Sequence, residues 1–360
     1  MNSTGRDRKS QRGFTLLELL MVVLIAGLMI AVAVPVIMPQ FRDRKIREAT
    51  RQLSAMVAAA KAKALERDRP CGIWLERDSE RLNNNRCSQI FLAEVPPPYS
   101  GDFLDATARL TSGTNQYIIK FTNAQALVGS KSNNMIPYLA KVGDRLWIRF
   151  SFREQVYPCV FQANPNQGDD QYLQATLLIA DSSMTLPVLD RDMPFQVYFP
   201  PRKSSTTPLD LPTGIAVDLS RSGIGALGVD FDGWNAPNAF GPVLPDTAAI
   251  AIMFAPSGQV TQIYTRGTMV NPMGDVFLLA GQADVIPPLN PAGEPTNPSL
   301  VSPSYPGNLQ DNSSLWISVG HRTGRVVTAE NIWNPTTTNF FDNIFECRQF
   351  VRTAQTKGGG

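Results

Sequence analysis

Glu18 poses the sharpest chemical question in this 360-residue chain. It stands at the mouth of twenty consecutive apolar residues, Leu19 to Met38. As a helix that run would be about 30 Å long, the thickness of a bilayer core. An ionisable side chain at the centre of a membrane costs on the order of 2.5–3.5 kcal/mol, so its presence in such a segment calls for a positive partner. Hydrolysis of the Gly13–Phe14 bond would supply one, freeing the Phe14 α-amine four residues before Glu18. A short basic leader, with Arg6, Arg8, Lys9 and Arg12, precedes that bond. Opposite charges in a low-dielectric place are costly to leave unmatched, so such a pair would set the register in which helices of this kind dock.

The other candidates for chemistry carry less. Gly223-Ile-Gly225-Ala-Leu-Gly228 has G-x-G-x-x-G spacing, but a dinucleotide site needs that string to end a strand and open a helix. The residues that follow, Val229 to Asn235, carry no helical signal, so a glycine-rich turn is expected. Asp230-Phe231-Asp232-Gly233 supplies half of a calcium loop without its terminal glutamate, and also reads as a turn. His321 is the only histidine and would have to serve any Ser-His-Asp or Cys-His triad. It lies in a turn sequence, Gly320-His-Arg-Thr-Gly324, and no G-x-S-x-G string accompanies it. Asp190, Asp192 and Asp246 could act as a hydrolytic pair only if the fold brings two of them together; a solvated surface is their default. Cys71, Cys87, Cys159 and Cys347 show no C-x-x-C spacing and no nearby histidine, which argues against zinc. In an exported domain they could form disulfides, with Cys71–Cys87, flanking an expected hairpin, the preferred pair; four buried thiols are the other reading. No catalytic residue, cofactor or metal is expected, and the chain is read as a non-enzyme.

The elements that position these residues begin with a long helix. Ile46, Ala49, Leu53, Met56, Ala60 and Ala64 recur every three or four residues, the period of one helical face. Arg67 and Arg69 suit the negative end of a helix dipole and Pro70 stops it. One helix from Thr15 to Asp68, apolar over about 16–38 and amphipathic over 39–69, would be about 80 Å long. Pro35 removes a backbone donor and should kink it, and Gly27 lowers helix propensity. After Pro70, Cys71–Arg77 reads as a strand. Short runs rich in Val, Ile, Phe, Tyr and Trp follow: 117–121, 146–152, 173–180, 195–199, 215–219, 249–254, 260–264, 276–279, 315–319 and 325–328. The expected class is α+β, a long N-terminal helix packed on a mainly antiparallel β head over 70–356. The segment 287–314 holds seven prolines and reads as a surface loop; the tail after Lys357 should be mobile.

The stretch Lys9–Leu19, with Gly13 before a scissile bond, Phe14-Thr15-Leu16 after it and then Glu18, resembles the prepilin signal of the type IV pilin and pseudopilin superfamily. The resemblance implies that a prepilin peptidase removes residues 1–13 and that Phe14 is N-methylated. It also implies that residues 14–69 form the pilin helix, held in inner-membrane lipid and then among other pilin or pseudopilin subunits, with Glu18 meeting a neighbour's N-terminal amine. In related filaments the segment matching Gly27–Pro35 can lose helicity on assembly. Residues 64–77 are similar to the helix-to-strand junction of GspH/FimT-type minor pseudopilins, and 251–260 and 315–326 look like the last hairpins of such heads. The head is longer than a typical member's, which places insertions within 90–210. The implied role is a minor subunit of a type II secretion pseudopilus or a type IV pilus, single-pass, with its head in the periplasm or outside the cell.

Three other readings remain open on the residues. Ala31-Val32-Ala33 is an A-x-A site, so an ordinary signal peptide could precede a secreted β-rich carbohydrate-binding protein or hydrolase. A plain membrane anchor fits the length alone. Nucleic acid is a conceivable partner, since some FimT-type proteins contact DNA. The chain carries +2; Arg6, Arg8, Lys9 and Arg12 against Asp7 give the leader +3, which leaves −1 for the rest. That balance offers no basic stripe for a nucleic acid, while the positive leader keeps its flank cytoplasmic.

Overall fold

A computed structural model describes residues 16–78, 85–113, 116–152, 155–165, 172–178, 185–232, 249–265, 268–286, 307–336 and 340–357. The chain opens with α1 (Leu16–Arg67), followed by β1 (Cys71–Glu76), β2 (Arg86–Cys87), β3 (Gln89–Glu94), β4 (Thr107–Gly113), β5 (Gln116–Thr122), α2 (Gln125–Val128), β6 (Arg145–Phe150), β7 (Val156–Ala163), β8 (Leu173–Leu177), β9 (Asp192–Met193) and β10 (Phe195–Tyr198). Then come β11 (Arg202–Lys203), β12 (Leu209–Asp210), β13 (Ile215–Ile224), β14 (Ile250–Phe254), β15 (Val260–Thr265), β16 (Thr268–Val270), β17 (Val276–Gln282), β18 (Leu315–Val319), β19 (Val326–Glu330) and α3 (Phe340–Lys357). The strands form three antiparallel sheets: β11-β3-β1-β14-β15-β16 with β12 also on β3, then β10-β6-β7-β8-β5-β4-β9, and finally β19-β18-β17-β13-β2.

One core joins α1 to the first and third sheets. The helical period brings Ile46, Ala49, Leu53, Val57, Ala60 and Ala64 to one stripe, and all six are at most 1% exposed. Met56, expected on that stripe, sits beside it, partly buried. The first sheet meets the helix with Ile73, Leu75, Ile250, Ile252 and Phe254; the third meets the same core with Val276, Leu278, Ala280, Ile317 and Val319. Alternation along these strands sends Trp74, Ala251 and Met253 to the far face of the first sheet, and Phe277, Leu279 and Trp316 to the far face of the third, as the two-residue strand period requires.

The second sheet interrupts the first. The chain leaves the end of β3 at Glu94, builds β4 to β10, and returns at β11, where Arg202 lies opposite Glu94. This excursion has its own core, including Leu110, Ile119, Ile148, Phe161, Phe195 and Val197. Phe121 stacks on Phe161 and meets Phe195 edge-on. The excursion touches the far face of the first sheet through Trp147, whose ring sits edge-on to Tyr264, centroids 5.7 Å apart.

α3 was not anticipated, and it covers the far face of the third sheet. Ile344, Cys347 and Val351 pack on Phe277, Leu279 and Trp316. Arg348, fully buried between them, lies over the rings of Phe277 and Trp316 at 5.1 and 5.2 Å. It donates to the carbonyls of Gly225 and Gly228 at 2.9 Å and of Arg221 at 3.0 Å. Burial pushes its pKa down to about 9, opposed by the Asp230 carboxylate. At the far end of α1, Lys63 and Arg67, one helical turn apart, both pair with Glu94 of β3, the first at 2.5 Å. Those hydrogen bonds hold the Glu94 carboxyl at about 2, below its ordinary 4.5.

Two outcomes follow from these contacts. Arg348→Met keeps the bulk of the side chain but strips three carbonyls of their donor, and should destabilise the head by about 2–4 kcal/mol, read as a lower thermal midpoint together with faster proteolysis within α3. For Glu94 the folded-state pKa is depressed, so its stabilisation is present above about pH 4.5 and is lost as pH falls toward about 2. Glu94→Gln should therefore melt below the parent at pH 7, by about 1 kcal/mol for a partly exposed pair, and the gap should close on acidification; a gap independent of pH would contradict the assignment.

Candidate assembly site

Among the described residues, the side chains of α1 from Leu16 to Ala31 enter no core. The large apolar side chains from Leu16 to Ile30 are all more than half exposed, Leu16 by 81% and Met29 by 69%. Fully burying one Leu, Ile, Val or Met side chain is worth about 1.5–3 kcal/mol, and contiguous exposed apolar surface of this extent marks a region that meets other molecules. Glu18 sits in the first turn of the helix, exposed among these side chains, where a carboxylate also suits the positive end of the helix dipole. Gly13 and Phe14, the expected cleavage and methylation positions, lie outside the described residues, as do the leader and the side chains at 32–39. The helix continues without a break through Gly27 and Pro35, and nothing packs within 4 Å of where a Gly27 Cβ would stand. Among the described residues no helix is long and apolar enough to cross a membrane.

The expected Cys71–Cys87 pairing is not made: all four cysteines are free and buried. The register explains it. β1 and β3 pair from Cys71 opposite Glu94 to Glu76 opposite Gln89, so Cys71 lies at the open end of the hairpin, and Cys87 beyond the other end. Five residues of strand, about 17 Å, already exceed the reach of a disulfide. Cys87 instead lies opposite Val217 of β13. Burial raises the Cys87 thiol and pushes Cys347 up to about 11, which leaves them protonated and poorly nucleophilic.

The glycine string forms the turn after β13. Gly225 has φ +73°, and a Cβ on Gly223 would lie 2.1 Å from the Gly228 carbonyl oxygen. Its amides are engaged: Ile224 N–H donates to Asp230 Oδ2 at 2.9 Å and Gly225 N–H to the Asp275 carbonyl at 2.8 Å. The carbonyls, facing Arg348, offer a phosphate nothing. Asp232 accepts from Asn85 Nδ2 at 2.6 Å, and Arg77 donates to the Phe231 carbonyl at 2.7 Å, so these residues serve a buried polar junction. Gly233 lies outside the described residues.

His321 Nδ1 lies 2.9 Å from Asp275 Oδ1, which also accepts the His321 backbone N–H at 3.0 Å. This is the orienting half of a triad, but among the described residues no serine or cysteine is hydrogen-bonded to the imidazole. Asp192 pairs with Arg109, Asp190 occupies a turn at φ 55°, and Asp246 lies outside the described residues. The pairings of Glu94 and of Arg348 were missed at the sequence level. The four-residue spacing of Lys63 and Arg67 on one helical face was a usable signal for the first, and Ile344, Cys347 and Val351 for the second.

Residues 8–34 match the family model described as the prokaryotic N-terminal methylation motif. That match spans a small part of the chain and supports a type IV pilin-like prepilin signal. No curated protein and no solved structure matches the chain.

Proposed function

We propose that this chain is a minor pilin-like subunit of GspH/FimT type that assembles through its N-terminal helix into a type II secretion pseudopilus or a type IV pilus. The observation that carries the reading is the N-terminal methylation motif over residues 8–34, overlapping a helix whose large apolar side chains from Leu16 to Ile30 are exposed around Glu18, while its later stripe from Ile46 to Ala64 is buried in the head. Prepilin peptidase cuts between Gly13 and Phe14 and methylates the new terminus. The apolar half then rests in inner-membrane lipid, with the head in the periplasm, until neighbouring pilin helices replace the lipid. Glu18 meets the amine of an adjacent subunit and fixes the axial register. The proposed work is associative rather than catalytic.

N-terminal mass analysis of the protein from cells containing the peptidase should show a chain beginning at N-methylated Phe14, and Gly13→Ala should retain the leader. A mature chain starting at Val34 would instead establish a secreted protein behind an ordinary signal peptide. Glu18→Ala should leave membrane insertion and leader removal intact while reducing incorporation into sheared filaments at least tenfold; normal incorporation would remove the charge pair from the assembly mechanism.

A further inference from the structure

At the end of α1 remote from its apolar half, a concave groove of about 770 Å3 opens between the helix terminus and the edge of the first sheet. Five cations line it, Lys63, Arg67, Arg69, Arg202 and Lys203, with Glu94 the one carboxylate among the lining residues. Glu94 is shared by Lys63 and Arg67 and also accepts from Ser204 Oγ at 2.9 Å. Lys203 pairs with Glu76 at 2.5 Å, and its ammonium sits 3.9 Å from the Phe91 ring centroid. Arg69 and Arg202 have no carboxylate partner among the described residues, and Arg202 lies over Phe199 at 5.8 Å. Counting Glu76, the groove carries a net charge of +3.

Nothing in the fold uses that surplus. Arg69 and Arg202 are exposed, hold no element together, and present planar forks that match oxyanions bidentately. Because the cations sit around a concavity, their potentials sum over the same space, and one anion entering there is attracted by several of them. The groove also follows a sheet edge: β11 is the outermost strand on β3, and an edge strand can accept an extended chain through backbone hydrogen bonds.

Three anionic partners are chemically available, and the geometry separates them. A lipid surface holding the apolar half of α1 is out of reach, because Lys63 lies 25 residues beyond Met38, the end of the apolar run, along one helix, about 38 Å. Single-stranded nucleic acid binds on aromatic platforms, yet Phe91 and Phe199 are buried and already covered by Lys203 and Arg202. The groove walls include Pro70, Pro96 and Pro97 rather than open rings, and one cation, Lys63, is recessed with only 17% of its side chain exposed. A slender carboxylate side chain fits that depth. We propose that this groove binds an extended acidic segment of a partner polypeptide, with aspartate or glutamate carboxylates paired to Arg69 and Arg202.

The test uses the full chain in a neutral detergent and fluorescein-labelled hexaglutamate, with hexaglutamine as the uncharged control, followed by anisotropy. Hexaglutamate should bind at least tenfold more tightly than hexaglutamine, with affinity falling as salt rises. Arg69→Gln combined with Arg202→Gln should weaken it tenfold or more without moving the thermal midpoint, while Arg69→Lys with Arg202→Lys should lose less. Arg109→Gln, which removes an exposed cation on the second sheet, should leave binding unchanged. Equal binding of the two peptides, or indifference to the paired Gln substitutions, would overturn the proposal. So would tighter binding of an oligothymidylate or of phosphatidylglycerol vesicles, which would reassign the groove to phosphate. Leader removal and filament incorporation report on the N-terminal half separately, so failure here is distinguishable from failure of the assembly reading.

Discussion

The first and third sheets are organised by the burial of one stripe of one helix. Ile46, Ala49, Leu53, Val57 and Ala60 share one core with apolar side chains of two sheets at once. The small residues matter as much as the large ones. Three alanines along the stripe let the backbone of α1 sit close to both sheets, while Ile46, Leu53 and Val57 fill the space between them. A polar residue at any of these positions would leave an unmatched group in a fully enclosed core.

The same helix solves half of its burial problem within the chain and leaves the other half unsolved. From Ile46 onward each apolar side chain on the inner face has a partner; from Leu16 to Ile30 none is buried. A two-ended rod of this kind, about 78 Å long over its 52 residues, is anchored at one end by packing and by the Lys63–Glu94–Arg67 clasp. Its free end can then be driven into lipid or among other helices without disturbing the head. This division of one element into an internal and an external half is the mechanical core of the assembly reading.

How much of this was legible in the sequence depended on whether a pattern had a single interpretation. The helix expected from Thr15 to Asp68 runs from Leu16 to Arg67, because its period, its terminal basic residues and Pro70 all agree. The strands buried on both faces, such as β17 and β18, stood out as apolar runs bounded by turn residues. What failed had competing signals. α3 begins among aromatics and carries Arg348 in the middle of its buried face, so its stripe looks broken until two carbonyls of the glycine turn and that of Arg221 in β13 are known to be waiting for that guanidinium. β3, β4 and β7 lacked sharp boundaries; Pro158, opposite Trp147 within the ladder, argued against a strand that exists. The cysteine pairing went astray because hairpin register, not sequence proximity, decides which residues face each other.

α3 and the second sheet share one geometric property: they lie against outer faces. α3 lies on the far side of the third sheet, and the second sheet reaches the far side of the first through Trp147 and Tyr264. The long excursion leaves and re-enters beside the same strand, so β3 keeps its pairing to β1 and its ion pairs to α1 whatever the excursion contains. Material can therefore be added or remodelled there without touching the helix stripe on which folding depends. The groove at the end of α1 forms where that return strand, β11, meets the helix terminus. The two arginines that have no carboxylate partner among the described residues come one from each side of this junction, Arg69 from the end of the helix and Arg202 from the end of the excursion. The surplus charge is thus a product of the junction itself, and it lies at the opposite end of α1 from the exposed apolar side chains of Leu16 to Ile30.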